Sequence, residues 1–81
     1  MVKKRRFTEL RHSILNYLKN QKQTTLNQIA RSTEINWKTV DNHLAYLVGK
    51  GLAKEVFSSP YVRIFEITEK GLEHLKNVKK H

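Results

Sequence analysis

The chain has 81 residues, enough for one domain with a single small core, and such a core stabilises it only modestly. Sixteen Lys and Arg against seven Asp and Glu leave a formal net charge of +9, which draws polyanions by releasing condensed counterions. There is no cysteine, which excludes disulfides and thiolate metal sites, and no apolar run approaches the ~20 residues that span a bilayer.

Residues 1–7 read as a basic arm, with Lys3, Lys4, Arg5 and Arg6 in succession, ahead of a domain over 8–81. No signal-peptide apolar run follows the arm, because Arg11 and His12 interrupt it. A first helix is expected from a Thr8 cap to about Asn20, with Glu9 near its positive end. Leu10, Ile14, Tyr17 and Leu18 form its apolar stripe, widened by Leu15. The polar run from Asn20 to Gln23 is a loop.

Thr25 and Gln28 have the Thr-x-x-Gln spacing of a capping box and open a second helix with Leu26, Ile29 and Ala30 inward. Arg31 to Glu34 carry no apolar side chain, and Ile35 anchors the turn that follows. Asn36 caps a third helix over about 36–49. At ~100° per residue, Trp37, Val40, Leu44, Leu47 and Val48 share an apolar sector. Lys38, Thr39, Asn42 and Tyr46 lie opposite, with Asp41 and His43 at the flanks. Gly49 and Gly51 can supply a left-handed terminus.

Leu52 to Phe57 and Tyr61 to Ile67 read as two strands of a hairpin, a wing over about 52–67 with its tip near Ser58 to Tyr61. Thr68 caps a last helix with Glu69 in its first turn and Leu72, Leu75 and Val78 inward. Gly71 weakens that helix slightly, and Lys76, Lys79 and Lys80 suit its negative end.

The pattern Val40-x-x-His43-Leu44-x-x-Leu47-x-x-x-Gly51-Leu52 resembles the winged helix–turn–helix regulators, particularly ArsR-like and related small archaeal, bacterial and viral repressors. Phe65-Glu66-Ile67-Thr68-Glu69-Lys70-Gly71 is similar to the segment by which that superfamily passes from its second wing strand into its last helix. Both occur in order, about twenty residues apart. The resemblance covers about residues 7–76 and implies an α+β fold: a three-helix core, a two-stranded wing and a C-terminal helix. It implies sequence-specific binding of double-stranded DNA by a transcriptional regulator, as repressor more than activator, with the third helix in the major groove.

On that reading Lys38 reaches a phosphate or a guanine edge, Asn42 pairs with adenine, Thr39 touches a thymine methyl or a phosphate, and Tyr46 bonds the backbone. His43 is either a base reader or a partly buried packing residue. Trp37 reads as core or turn packing before DNA stacking, and Asp41 as a group that orients a neighbour. Arg63 near the tip either meets the phosphate or minor groove or pairs across the strands with Glu55, and Lys54 marks a basic strand flank. Arg5 and Arg6 follow phosphates or a minor groove, or are simply a solubilising tail.

No cofactor, small-molecule effector or membrane contact is expected. His12, His43, His74 and His81 lack the one-turn spacing of a helical metal site. A homodimer is expected, because one helix in one groove reads few base pairs, with the first and last helices as its surface. Localisation is expected in the cytoplasm or on the nucleoid. Architectural DNA or RNA binding and a protein–protein adaptor are the alternatives. An enzyme is not expected, for the carboxylates are scattered and no phosphate loop or nucleophile–base pair is evident.

Overall fold

The structure, a computed structural model, describes residues 7–78. The elements run α1 (Phe7–Asn20), β1 (Thr24–Thr25), α2 (Leu26–Thr33), α3 (Trp37–Gly49), β2 (Ala53–Ser58), β3 (Arg63–Ile67) and α4 (Glu69–Val78). The fold is the expected α+β winged helix. Helix α1 starts at Phe7, so Thr8 lies inside its first turn rather than at its cap. The Arg5 and Arg6 of the arm lie outside the described residues.

Helix α2 opens as its sequence dictates. The Gln28 amide donates to Thr25 Oγ1 at 3.1 Å, and the Thr25 amide donates back to Gln28 Oε1 at 3.4 Å. Such a box satisfies two amides that the first turn would otherwise leave unpaired. The helix ends on Glu34 in the left-handed region, φ 59°, with the Glu34 and Ile35 amides both donating to the Ala30 carbonyl. That conformation swings the chain so that Ile35 enters the core and Asn36 caps α3, its Oδ1 accepting from the Lys38 amide at 2.8 Å. A side chain at positive φ costs about 1 kcal/mol. Glu34→Gly is therefore expected to raise stability by about 1 kcal/mol, read as a higher urea midpoint at unchanged slope.

The core joins α1, α2 and α3 to the inner strand. Ile14, Leu15, Leu18, Ile29, Val40, Leu44, Leu47 and Phe65 are fully buried. Phe65 lies on β3, the central strand of a β1-β3-β2 antiparallel sheet. The third strand, β1, is an addition to the expected two: Thr24 pairs with Phe65 and Thr25 with Ile64. Thr24 is buried there, its hydroxyl donating to Gln28 Oε1. The hairpin register slips between Glu55 and Phe57, leaving Val56 as a bulge. Its tip turns at Ser59, whose Oγ accepts from the Tyr61 and Val62 amides, each at 3.1 Å.

The junction of α3 with α4 is close-packed. Gly51, at φ 78°, lets the Leu52 amide return to the Leu47 carbonyl at 2.9 Å, closing the helix. Thr68 then donates its hydroxyl to the Gly51 carbonyl at 2.6 Å and its backbone amide to that of Leu52 at 3.1 Å, while its Oγ1 accepts from the Gly71 amide at 3.0 Å. Gly71 lies directly against the Leu52 carbonyl oxygen. The glycine thus serves a close approach, where sequence alone suggested only a weakened helix.

Three side chains expected inward are not. Trp37 shares the angular sector of Leu44 but sits in the first turn, beyond the reach of the core, and is 57% exposed. Val48, at the edge of the sector, is 39% exposed, and Leu72 is 36% exposed, while Leu75 is the leucine of α4 that is buried in the core. The Val78 side chain lies outside the described set.

Candidate nucleic-acid interface

Helix α3 is held down by Val40, Leu44 and Leu47, and this fixes what the other side presents. Lys38, Asn42 and Tyr46 follow at four-residue steps, and Lys50 continues the row just past the helix end. The row is about 18 Å long at 1.5 Å per residue. All four are exposed, and Thr39 beside them is half-buried. The Lys38 and Asn42 side chains make no hydrogen bond or ion pair among the described residues. An ammonium and a carboxamide that satisfy nothing within the fold keep their full donor and acceptor capacity for a partner.

His43 is placed differently. Its ring is 4% exposed, and its Nδ1 accepts from Arg11 Nε at 3.3 Å. Burial, and then the nearby Arg11 charge, lower its pKa below the ordinary 6.5, so the ring is neutral at pH 7. Of the two readings of His43, packing is the one its burial favours.

Arg11 itself was not visible as a site residue. It stands on α1 at the border of the Ile14–Leu18 stripe, and its guanidinium carbon lies 3.6 Å from the centre of the Tyr46 ring. Lys50 Nζ lies 5.7 Å from the same centre. A cation on the edge of an apolar stripe was the available signal, but His43 and Tyr46 are more than thirty residues away in sequence.

The wing cations are spoken for within the fold. Arg63 donates from Nε to Glu55 and from a terminal nitrogen to Asp41, each at 2.8 Å, and its guanidinium lies 5.3 Å from the Phe65 ring centre. The Glu55 bond, with the Asp41 bond behind it, raises its pKa further above that of a free arginine. Arg63 therefore joins two outcomes: the cross-strand pair with Glu55, and Asp41 as the group that orients a neighbour. Asp41 belongs to α3, so this fork ties the hairpin to the helix that carries the exposed row. Lys54 Nζ pairs with Glu66 at 3.3 Å, and Glu66 is held charged first by Gln23 and then by Lys54. Residues 53–67 thus carry two cations and two carboxylates, no net charge on a strongly basic chain. Arg63 and Lys54 meet a phosphate only by sharing or leaving these partners.

What the wing exposes instead is apolar: Val56, Phe57 and Tyr61, the last 92% exposed. An open groove of about 220 Å³ lies between the wing tip and the helices, lined by Leu26, Trp37, Pro60, Tyr61 and Arg63 among others. Among the described residues no group of His, Asp and Glu is placed to hold a metal ion, and no helix is long and apolar enough to cross a membrane.

Residues 8–55 match the profile of the bacterial regulatory proteins of the arsR family. No curated protein matches the chain significantly. Among solved structures, it resembles ZitR of Lactococcus lactis, in an apo double mutant, with TM-score 0.78 and 26% identity over 93% of this chain and 58% of that one. The transcriptional regulator BldR of Sulfolobus solfataricus superposes with TM-score 0.79 and 23% identity, over 89% of this chain and 52% of BldR. The Zalpha domain of Carassius auratus PKZ, solved in complex with Z-DNA, gives TM-score 0.70 and 18% identity over 76% of this chain and 97% of that one. The chain spans little more than half of ZitR and BldR, and nearly the whole of the Zalpha domain. The profile match takes in α2, the turn and α3 whole, the elements that present the exposed row: the chain belongs to the arsR family of DNA-binding regulatory proteins and carries their winged helix–turn–helix.

Proposed function

We propose that this protein binds double-stranded DNA in a sequence-dependent way as a transcriptional regulator, more as repressor than activator, with α3 in the major groove. The observation that carries this reading is the exposed row on α3, in which Lys38 and Asn42 have no partner within the described fold. A major groove about 12 Å wide admits one helix, and the row suits it chemically: an ammonium for phosphate or guanine, a carboxamide for adenine, and a phenol for the backbone. Thr39 touches the groove wall from the flank. The wing meets the adjoining backbone or minor groove with Tyr61 and Pro60 at its tip, and Arg63 acts mainly by fixing the wing angle. Arg5 and Arg6 add phosphate contacts from the arm. Two copies on a palindrome, joined through α1 and α4 with Leu72 in the seam, place their α3 helices one turn of duplex apart, about 34 Å.

A second reading has its own support. The Zalpha domain, a binder of Z-DNA, is matched over almost its full length. Left-handed duplex has no deep major groove, so a short row of polar groups with an exposed ring and a wing tip beside it can meet its convex backbone without insertion.

One titration separates the readings. The protein is added at matched salt to a mixed-sequence B-form duplex, to the same sequence as duplex RNA, and to an alternating CG duplex followed by circular dichroism. Tighter binding to the mixed DNA than to RNA, with no inversion of the CG spectrum, is the expected result. Inversion of that spectrum would assign the row to left-handed DNA, and a preference for RNA would overturn both.

A further inference from the structure

We infer that the groove between the wing tip and the helices takes one unpaired base of the bound DNA, stacked against Trp37 and Tyr61. This rests on the duplex-binding reading above and adds a second binding feature beside the row on α3.

Three observations carry the inference. First, the groove is walled by exposed rings and apolar side chains. Trp37 and Tyr61, 57% and 92% exposed, line it together with Leu26 and Pro60. An indole and a phenol left open on a chain of net charge +9 offer flat faces to the bases of the polyanion which that charge attracts. An enclosed apolar cavity of about 150 Å³ holds one benzene ring. The groove, at about 220 Å³, therefore has room for a single base. Second, its polar groups suit a base better than a phosphate. The cation that lines it, Arg63, is already shared between Glu55 and Asp41 at 2.8 Å each, which leaves little charge for an anion. Asn27, which also lines the groove, is exposed and makes no hydrogen bond among the described residues, so its carboxamide is free to pair with a base edge. Third, the groove is preformed and adjoins the row. Asp41 and Trp37 both belong to α3, and Arg63 lies two residues past Tyr61, so the Asp41–Arg63 pair ties the two ring-bearing walls together. Ser59 Oγ holds the Tyr61 amide and so fixes the tip. Lys38, where the row begins, directly follows Trp37, so a base unpaired in the strand that meets Lys38 lies beside the groove. Its entry costs little, because no base pair has to be broken.

The test compares two duplexes of the same sequence, each with one extra unpaired nucleotide that carries its base in one and is abasic in the other. Both interrupt the duplex, so the ratio of the two affinities reads the base. The 81-residue chain is expected to bind the base-bearing duplex about fivefold or more tightly, the lower end of what one base stacked on an aromatic side chain contributes. Trp37→Ala and Tyr61→Ala should each bring the ratio towards one, and Trp37→Phe should keep part of it. Trp37 is the single tryptophan, so its fluorescence should be quenched further by the base-bearing duplex than by the abasic one. Both rings are exposed, and a thermal melt confirms separately that the variants fold. A wild-type ratio of one, with both duplexes bound, would overturn the base site and leave the duplex reading intact. So would a ratio that both alanine variants retain in full. A wild type that binds neither duplex would overturn both together.

Discussion

Gly71→Ala is expected to destabilise the protein by about 3 kcal/mol, an overpacking cost at the upper end of the usual range. The substitution runs against helix propensity, by which alanine in place of glycine stabilises a helix by up to about 1 kcal/mol. A methyl at position 71 meets the Leu52 carbonyl oxygen inside van der Waals contact, and Ile67 Cγ1 at 2.7 Å. The oxygen belongs to backbone already fixed by the Thr68 amide, so it cannot give way without breaking the α3–α4 junction. Gly49→Ala is the control, since nothing lies within 4 Å of its methyl; it is expected to leave stability unchanged or raise it by a few tenths of a kcal/mol. For a domain this small the Gly71 variant should melt about 12–20 °C lower, measured by circular dichroism. Equal melting temperatures for the two alanine variants would show that α4 does not dock as described.

The second large effect concerns the exposed row. Lys38→Ala with Asn42→Ala is expected to lower specific duplex affinity by about 30-fold or more, because each well-placed base contact contributes roughly 1–3 kcal/mol of discrimination. Neither side chain packs on the core or bonds within the described fold, so the melting temperature should move little. That separation of binding from stability is what distinguishes a functional face from a solvated one.

Much of this was legible in the sequence, for local reasons. The capping box at Thr25, the Asn36 cap and the Ser59 turn are each made within three residues, and all three formed as their residue types require. The buried side of α3 followed from periodicity at Val40, Leu44 and Leu47. What sequence could not show depends on partners far along the chain. β1 is only two residues long and has no period to detect; it exists because β3 offers an open edge. Trp37 obeys the angular pattern and fails the axial one, since the core ends below it. The Arg63 pair with Glu55 was one of the two readings its position allowed, but that Asp41, 22 residues earlier, shares the guanidinium was not legible. His43 and Arg11 belong to one another across 32 residues, so neither role was readable alone.

Whether the outward row of α3 reads DNA sequence is decided by selecting bound duplexes from a random pool, with the wild type and with the Lys38→Ala, Asn42→Ala variant side by side. A palindromic consensus for the wild type is expected, weakened and relaxed in the variant at the positions these side chains meet. A wild-type pool with no consensus, or the same consensus at the same affinity from both proteins, would contradict sequence reading by the row.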